Sequence, residues 1–313
     1  MTRGIATVVL LSLLAVCLAP WLGPPLSGEA ARFVMLELRL PRVVLGVLVG
    51  AALGLTGAAF QVVLENPLAT PSTVGTTAGA SLGALAVLVL WPAAAVGAPG
   101  VALGAFIGAF GVSLGLATLA TLRHLRTEEL LLAGIAITLA AGAATTGLQV
   151  QADASATLAS VRWALGSLAT VGHGKALRLL PLLLLGGVGV LSQLRGLQAM
   201  TAGAERAASQ GVDVVRTRTL VLGAGSLMVA GSVASVGPIA FVGLVVPHLV
   251  RLAVGGGPRW NLPLSAVAGA GFLPLADGLA RVLVPGRDLP VGVLTAMLGA
   301  PALLVLLLRR RAG

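Results

Sequence analysis

The chain has 313 residues, of which 57% are hydrophobic and only 10% charged, with a formal net charge of +10. A soluble domain carries about 25% charged residues. A chain this apolar cannot cover a globule with polar groups, so it must face lipid. A membrane-spanning helix takes about 20 mostly apolar residues, which leaves room for about ten spans and short loops. The sequence therefore predicts an all-α, polytopic membrane protein with about ten transmembrane helices. No linker or shift of composition divides it, and residues 1–313 read as a single transmembrane domain.

The first apolar run, 5–22, follows Arg3. A cleaved signal peptide is the alternative reading, but Val16 rather than a small residue precedes Cys17, and the run is taken as the first helix. Further helices are expected at 43–64, 75–90, 100–122, 130–150, 176–194, 219–236, 239–253, 262–283 and 291–308. Trp21, Trp91, Trp163 and Trp260 lie at ends of runs, where an interfacial ring is at home. Cys17 is the only cysteine, so neither an intrachain disulfide nor a thiolate metal cluster is possible.

The positive charge is nearly all arginine and sits in short stretches between apolar runs. That pattern fits loops held against anionic lipid rather than nucleic acid. With the N-terminus in the cytoplasm, twelve Lys and Arg fall inside and eight outside, the bias expected with both termini inside.

Gly46, Gly50, Gly54 and Gly57 form a small-residue stripe that admits a second backbone. Gly104, Gly108, Gly111 and Gly115 are expected to do the same in the fourth helix. Two stretches break the helical pattern. Residues 65–80 carry Pro67, Pro71 and a run of hydroxyls, and 237–248 begin Gly-Pro and hold Pro247. Each reads as a simple loop or as a break lining a path, because irregular backbone at membrane depth needs protein or water to satisfy it.

Several short motifs then fall in one register. Arg39-Leu40-Pro41-Arg42 is followed by Gly50-Ala51-Ala52-Leu53 and by Gln61 to Pro67. Leu132-Ala133-Gly134 and Trp163-Ala164-Leu165-Gly166-Ser167-Leu168 come next, then Gly237 to Arg251, Ala276-Asp277 with Arg281, and Leu289-Pro290-Val291-Gly292 through Pro301. From Arg39 to the C-terminus the chain resembles the ABC importer permeases for iron-siderophores, haem and vitamin B12. The resemblance implies a fold with ten helices per subunit and a path between two permease copies. It implies two cytoplasmic ATPase subunits, a periplasmic or extracellular substrate-binding protein, membrane lipid around the pair, and a place in the bacterial cytoplasmic (inner) membrane.

The sequence agrees with that division of labour. It holds no phosphate-binding loop: Gly174-Lys175 is followed by Ala176, with Ala169 where the first glycine would stand. The chain is thus expected to be a transport subunit and not an enzyme, without cofactor or metal of its own, ATP and Mg belonging to the partner ATPases. His248 beside Pro247 is read as structural.

Residue roles follow from the same resemblance. Arg39, Arg42 and Arg281 match outer-face arginines that meet acidic residues of the binding protein, where ion pairs chiefly set docking rate and register. Asp277 lies four residues before Arg281, so a local ion pair competes with docking there. Asn66 and Leu68, with Thr127 and Glu128, match the cytoplasmic gate; a small polar residue would be more usual at Glu128. The segment 198–218 resembles a pair of short helices seated in an ATPase groove, with Ala204, Ala207, Ala208 and Gly211 allowing the close seat and Gly211 fitting a helix C-cap.

An ion-coupled secondary transporter is the alternative. It would want paired acids inside the membrane or an inverted repeat, and Asp277 is the only acid well inside a run.

Overall fold

The computed structural model describes residues 2–24, 28, 30–91, 99–122, 127–255, 257–283 and 288–311. Among the described residues there are thirteen helices and no strand. They are α1 (Thr2–Leu18), α2 (Ala30–Val63), α3 (Thr76–Leu90), α4 (Pro99–Leu122), α5 (Thr127–Gln151) and α6 (Ala154–Ala164). The rest are α7 (Gly174–Ser192), α8 (Leu194–Met200), α9 (Ala204–Ser209), α10 (Val214–Val236), α11 (Val242–Val254), α12 (Pro258–Leu283) and α13 (Val291–Arg311).

Six helical segments among the described residues, in α1, α2, α5, α7, α10 and α12, are long and apolar enough to cross a membrane. Segments of α3, α4, α11 and α13 are apolar but shorter, 10–17 residues each. The expected count of about ten spans is thus not what length and apolarity alone deliver. In α11 the shortening has a local cause: Pro238 to Phe241 stay irregular, so that the helix starts at Val242 rather than at residue 239.

Helix α2 is the axis of the molecule: its membrane window is 78% buried, against 11% for that of α5. It begins at Ala30, thirteen residues before the apolar run, and carries Pro41 within it. Proline has no N–H and crowds the carbonyl one turn back. Here the turn Val34–Arg39 is a π-helix, with Leu40 N–H reaching Met35 O, and the wider turn accommodates the ring.

The glycine stripe of α2 does what its spacing predicts. A Cβ at Gly50 would strike the carbonyl of Gly269, one at Gly54 that of Ser265, and one at Gly57 that of Gly243. Rising numbers in α2 meet falling numbers in α12, so the two run antiparallel with their backbones in contact. Close approach of this kind replaces the hydrophobic drive that lipid removes. Helices α3 and α4 repeat the device, Gly79 against Gly108 and Gly83 against Gly104. Gly111 and Gly115 do not take part. Both face open space.

Candidate functional site

At one end of α2 the three predicted docking arginines lie together, and two of them, Arg42 and Arg281, share one aspartate. Arg42 Nε donates to Asp277 Oδ2 at 2.7 Å, and its Nη1 to Asp288 Oδ2 at 3.3 Å. Arg281 Nε lies 3.5 Å from the same Asp277 oxygen, and its Nη2 donates to Ala19 O at 2.7 Å. Arg39 donates to the carbonyls of Pro20 and Pro24. All three arginines are only 7% exposed. Guanidinium groups displayed on the surface were expected. Instead they are turned inward, because Asp277 is buried in α12 and the chain between α1 and α2 supplies carbonyl acceptors. A buried carboxylate needs such partners to stay ionised. Arg281 does pair with Asp277 locally, as its i,i+4 spacing allowed. Asp288 keeps its side chain 66% exposed.

The opposite end of α2 holds the residues read as a gate. Helix α2 ends on a pair of reversed bonds, Glu65 N–H to Val62 O at 3.1 Å and Asn66 N–H to Gln61 O at 3.1 Å. Asn66 Oδ1 then accepts from Leu68 N–H at 2.9 Å, which folds the loop into a tight turn. Arg251 Nη1 donates to Gln61 Oε1 at 2.6 Å, and Gln61 Nε2 donates to Gly243 O, tying α11 to the last turn of α2. Thr127 and Glu128 open α5, but their side chains lie outside the described residues.

The segment read as an ATPase seat, 198–218, takes in the last residues of α8, the whole of α9 and the start of α10. Leu197 and Met200 bury α8, which packs against α2 and α12. In α9, Ala204 is half-buried and Ala208 exposed, while Ala207 is wholly buried within the chain itself. Ala207 therefore anchors α9 to its own subunit rather than offering a surface. Gly211 has φ +83°, and its N–H bonds to Ala208 O while Val212 N–H reaches Ala207 O, so it closes α9 as a C-cap.

Between these ends the two breaks face one another. In the first, the 3₁₀ turn Pro71–Val74 leads through Gly75 into α3, and Thr76 Oγ1 bonds to Pro71 O and to Ser113. The second is woven into the tryptophan motif: Ser167 N–H donates to Val236 O at 2.7 Å, and the Gly166 carbonyl accepts from Gly292 N–H at 3.1 Å. A Cβ at Gly166 would strike Pro238 O, at Gly237 the Trp163 carbonyl, and at Gly292 the Leu165 carbonyl. Three motifs far apart in sequence thus meet as touching backbone. Beside them opens a cavity of about 550 Å³, lined by Ser72, Thr77, Leu165, Pro238, Ile239 and the start of α13.

Sequence reasoning missed Asp288 and Glu65 altogether, and it missed the pairing of Arg42 with Asp277. The signal for the last was an acid inside an apolar run, which demands a cation nearby. Helix α6 was also missed. It is short and not strongly apolar, and it is fixed by Asp153 at its N-cap, whose Oδ1 accepts from Ala156 N–H at 2.6 Å.

Comparison with known proteins meets this architecture at every level. The profile of the FecCD transport family matches residues 5–309. The hemin transport system permease protein HmuU of Yersinia pestis is 38% identical, over 91% of this chain and 86% of its own. The cobalamin import system permease protein BtuC of Halobacterium salinarum is 40% identical, over 89% and 74%. The Fe(3+) dicitrate transport system permease protein FecD of Escherichia coli is 37% identical, over 99% and 97%. A solved chain of a metal-chelate type ABC transporter in an inward-facing conformation superposes with a TM-score of 0.86 at 29% identity, covering 98% of each chain. The chain belongs to the FecCD transport family, and it is a multi-pass membrane protein of the ABC permease fold.

Proposed function

We propose that this chain is the permease subunit of an ABC importer for an iron complex or cobalamin, with siderophore-bound iron first and haem and cobalamin behind it. Ten helices cross the cytoplasmic membrane, and two copies enclose a path. A binding protein delivers cargo at the arginine end, and two ATPase subunits engage α8 and α9 at the other. The observation that carries this reading is the family match over residues 5–309. It is supported by the placing of the arginine cluster and of the α8–α9 segment at opposite ends of α2, as delivery on one side and energy on the other require. The exposure of α5, with Leu132, Ile135 and Leu139 outward, leaves an apolar face for a second copy.

The small and apolar lining of the cavity suits a path that does not grip its cargo, so selection rests with the binding protein. Secondary transport driven by an ion gradient is not favoured, since Asp277 is locked between two arginines. The test is reconstitution in proteoliposomes with the ATPase and the binding protein. Uptake of an iron chelate, haem or cobalamin that requires ATP supports the reading. Uptake driven by an ion gradient, without any ATPase subunit, refutes it.

A further inference from the structure

The residue between the gate loop and the ATPase seat stands in an unusual conformation. Glu65 has φ +46°, and its backbone sits at the position after α2 where glycine is the preferred residue. The two reversed hydrogen bonds of Glu65 and Asn66 onto Val62 and Gln61 define that position. Nothing in local stability favours a glutamate there. What the side chain gains is a contact 139 residues away: Oε1 accepts from Ala204 N–H at 3.2 Å, at the start of α9.

That contact answers a need of α9. Its own N-cap is Gly203, which has no side chain to offer, and no local cap bond forms. A helix of six residues is too short to persist unaided. A carboxylate at its N-terminus both accepts an orphan N–H and complements the helix dipole. The next residue along from Glu65 is Asn66, whose side chain shapes the turn at Leu68. One residue therefore has its backbone in the gate loop and its side chain on the seat, with nothing between.

We propose that Glu65 is the positioning residue through which movement of α8 and α9 reaches Asn66 and Leu68. This rests on the reading of α9 as the ATPase seat and of the loop at 66–68 as the gate. A displacement of α9 pulls on a loop whose backbone is already held in a left-handed turn, so coupling has a direct route through this bond beside the packing of α8 on α2.

The test uses the permease dimer with its ATPase and binding protein in proteoliposomes, and reads cargo moved per ATP hydrolysed. Glu65→Gly keeps the left-handed turn and removes the carboxylate; Glu65→Gln keeps an acceptor oxygen. Cargo per ATP should fall about fivefold in Glu65→Gly, the factor that goes with losing a helix cap, and stay within about twofold of the unmodified protein in Glu65→Gln. Assembly and ATP hydrolysis should persist in both. Unchanged stoichiometry in Glu65→Gly overturns the proposal. So does a loss in Glu65→Gln equal to that in Glu65→Gly, or failure of Glu65→Gly to assemble, which would make the residue merely structural. Ala208→Cys at an exposed position of α9, in a Cys17→Ser background, tests the seat by itself. If it does not cross-link to the ATPase, the seat reading fails; if it does while Glu65→Gly couples normally, only the role of Glu65 fails.

Discussion

Arg42 Nε and Asp277 Oδ2 meet at 2.7 Å across 235 residues of sequence, and that pair pins the start of α2 to the end of α12. The same oxygen is 3.5 Å from Arg281 Nε, so one carboxylate answers two cations. Asp277 is 1% exposed, and its removal would leave buried Arg281 without its counter-ion and buried Arg42 with only the exposed Asp288. Breaking a buried pair by deleting one partner costs about 3 kcal/mol. Asp277→Ala should lower the unfolding midpoint in detergent by that order, and Arg281→Ala by clearly less, since Arg42 still holds Asp277. Equal losses in the two variants would show that the cluster is not organised around the aspartate.

The glycine contacts give a second contrast. Gly50→Leu places a side chain where the Gly269 carbonyl lies, and the helices must part. Overpacking of this kind costs about 3 kcal/mol. Gly115→Leu meets open space in the same chain and should change stability by no more than about 0.5 kcal/mol. Thermal unfolding of the two variants in one detergent checks this. A Gly115→Leu protein as damaged as Gly50→Leu would mean that the open face is closed within the subunit.

These contrasts show what the sequence could and could not tell. The stripe Gly46, Gly50, Gly54 was legible because a period of four residues is local. Its partner, the run from Ser265 to Gly269, was not, because nothing in sequence says which helix comes close. At 198–218 the helical character came from the resemblance and the end of α9 from Gly211, but the burial of Ala207 depends on α8 and α10 beside it. The arginines were found as chemistry and misplaced as geometry. Their exposure turned on Asp277 and on the carbonyls of Ala19, Pro20 and Pro24, all brought in by tertiary packing. Helix α2 before residue 43 was hidden by Pro41, whose accommodation takes a π turn that no propensity announces.

A third prediction concerns pH. The Ala156 N–H, with the Ser155 hydroxyl beside it, holds the Asp153 carboxyl below the ordinary aspartate range. A depressed value means that the cap is fully present above the unfolded value, about pH 4, and is lost as pH falls through the lower folded value. Hydrogen-exchange protection of the first turn of α6, corrected for intrinsic rates, should therefore fall on acidification below that point. Asp153→Asn keeps a capping oxygen without a titrating proton and should flatten the response. The same acid response in the asparagine variant would place its origin elsewhere.

The docking reading is tested least ambiguously at Asp288. Reversing the charge of Arg42 would set a second carboxylate beside buried Asp277, and any loss of docking would be confounded by unfolding. Asp288 is 66% exposed and touches Arg42 Nη1 only at 3.3 Å, so Asp288→Asn should leave stability within about 0.5 kcal/mol. If acidic residues of a binding protein approach this end, Asp288 opposes them and takes up part of the field of the arginines. Its neutralisation should raise the association rate about two- to threefold at low salt, as a single rim charge does. The gain should fade near 1 M salt, where the screening length shrinks to about 3 Å. Stopped-flow association at two ionic strengths measures both. A slower association of Asp288→Asn at low salt would mean that the partner brings positive charge to this surface, and the arginine cluster would then be a staple of the fold and not a landing place.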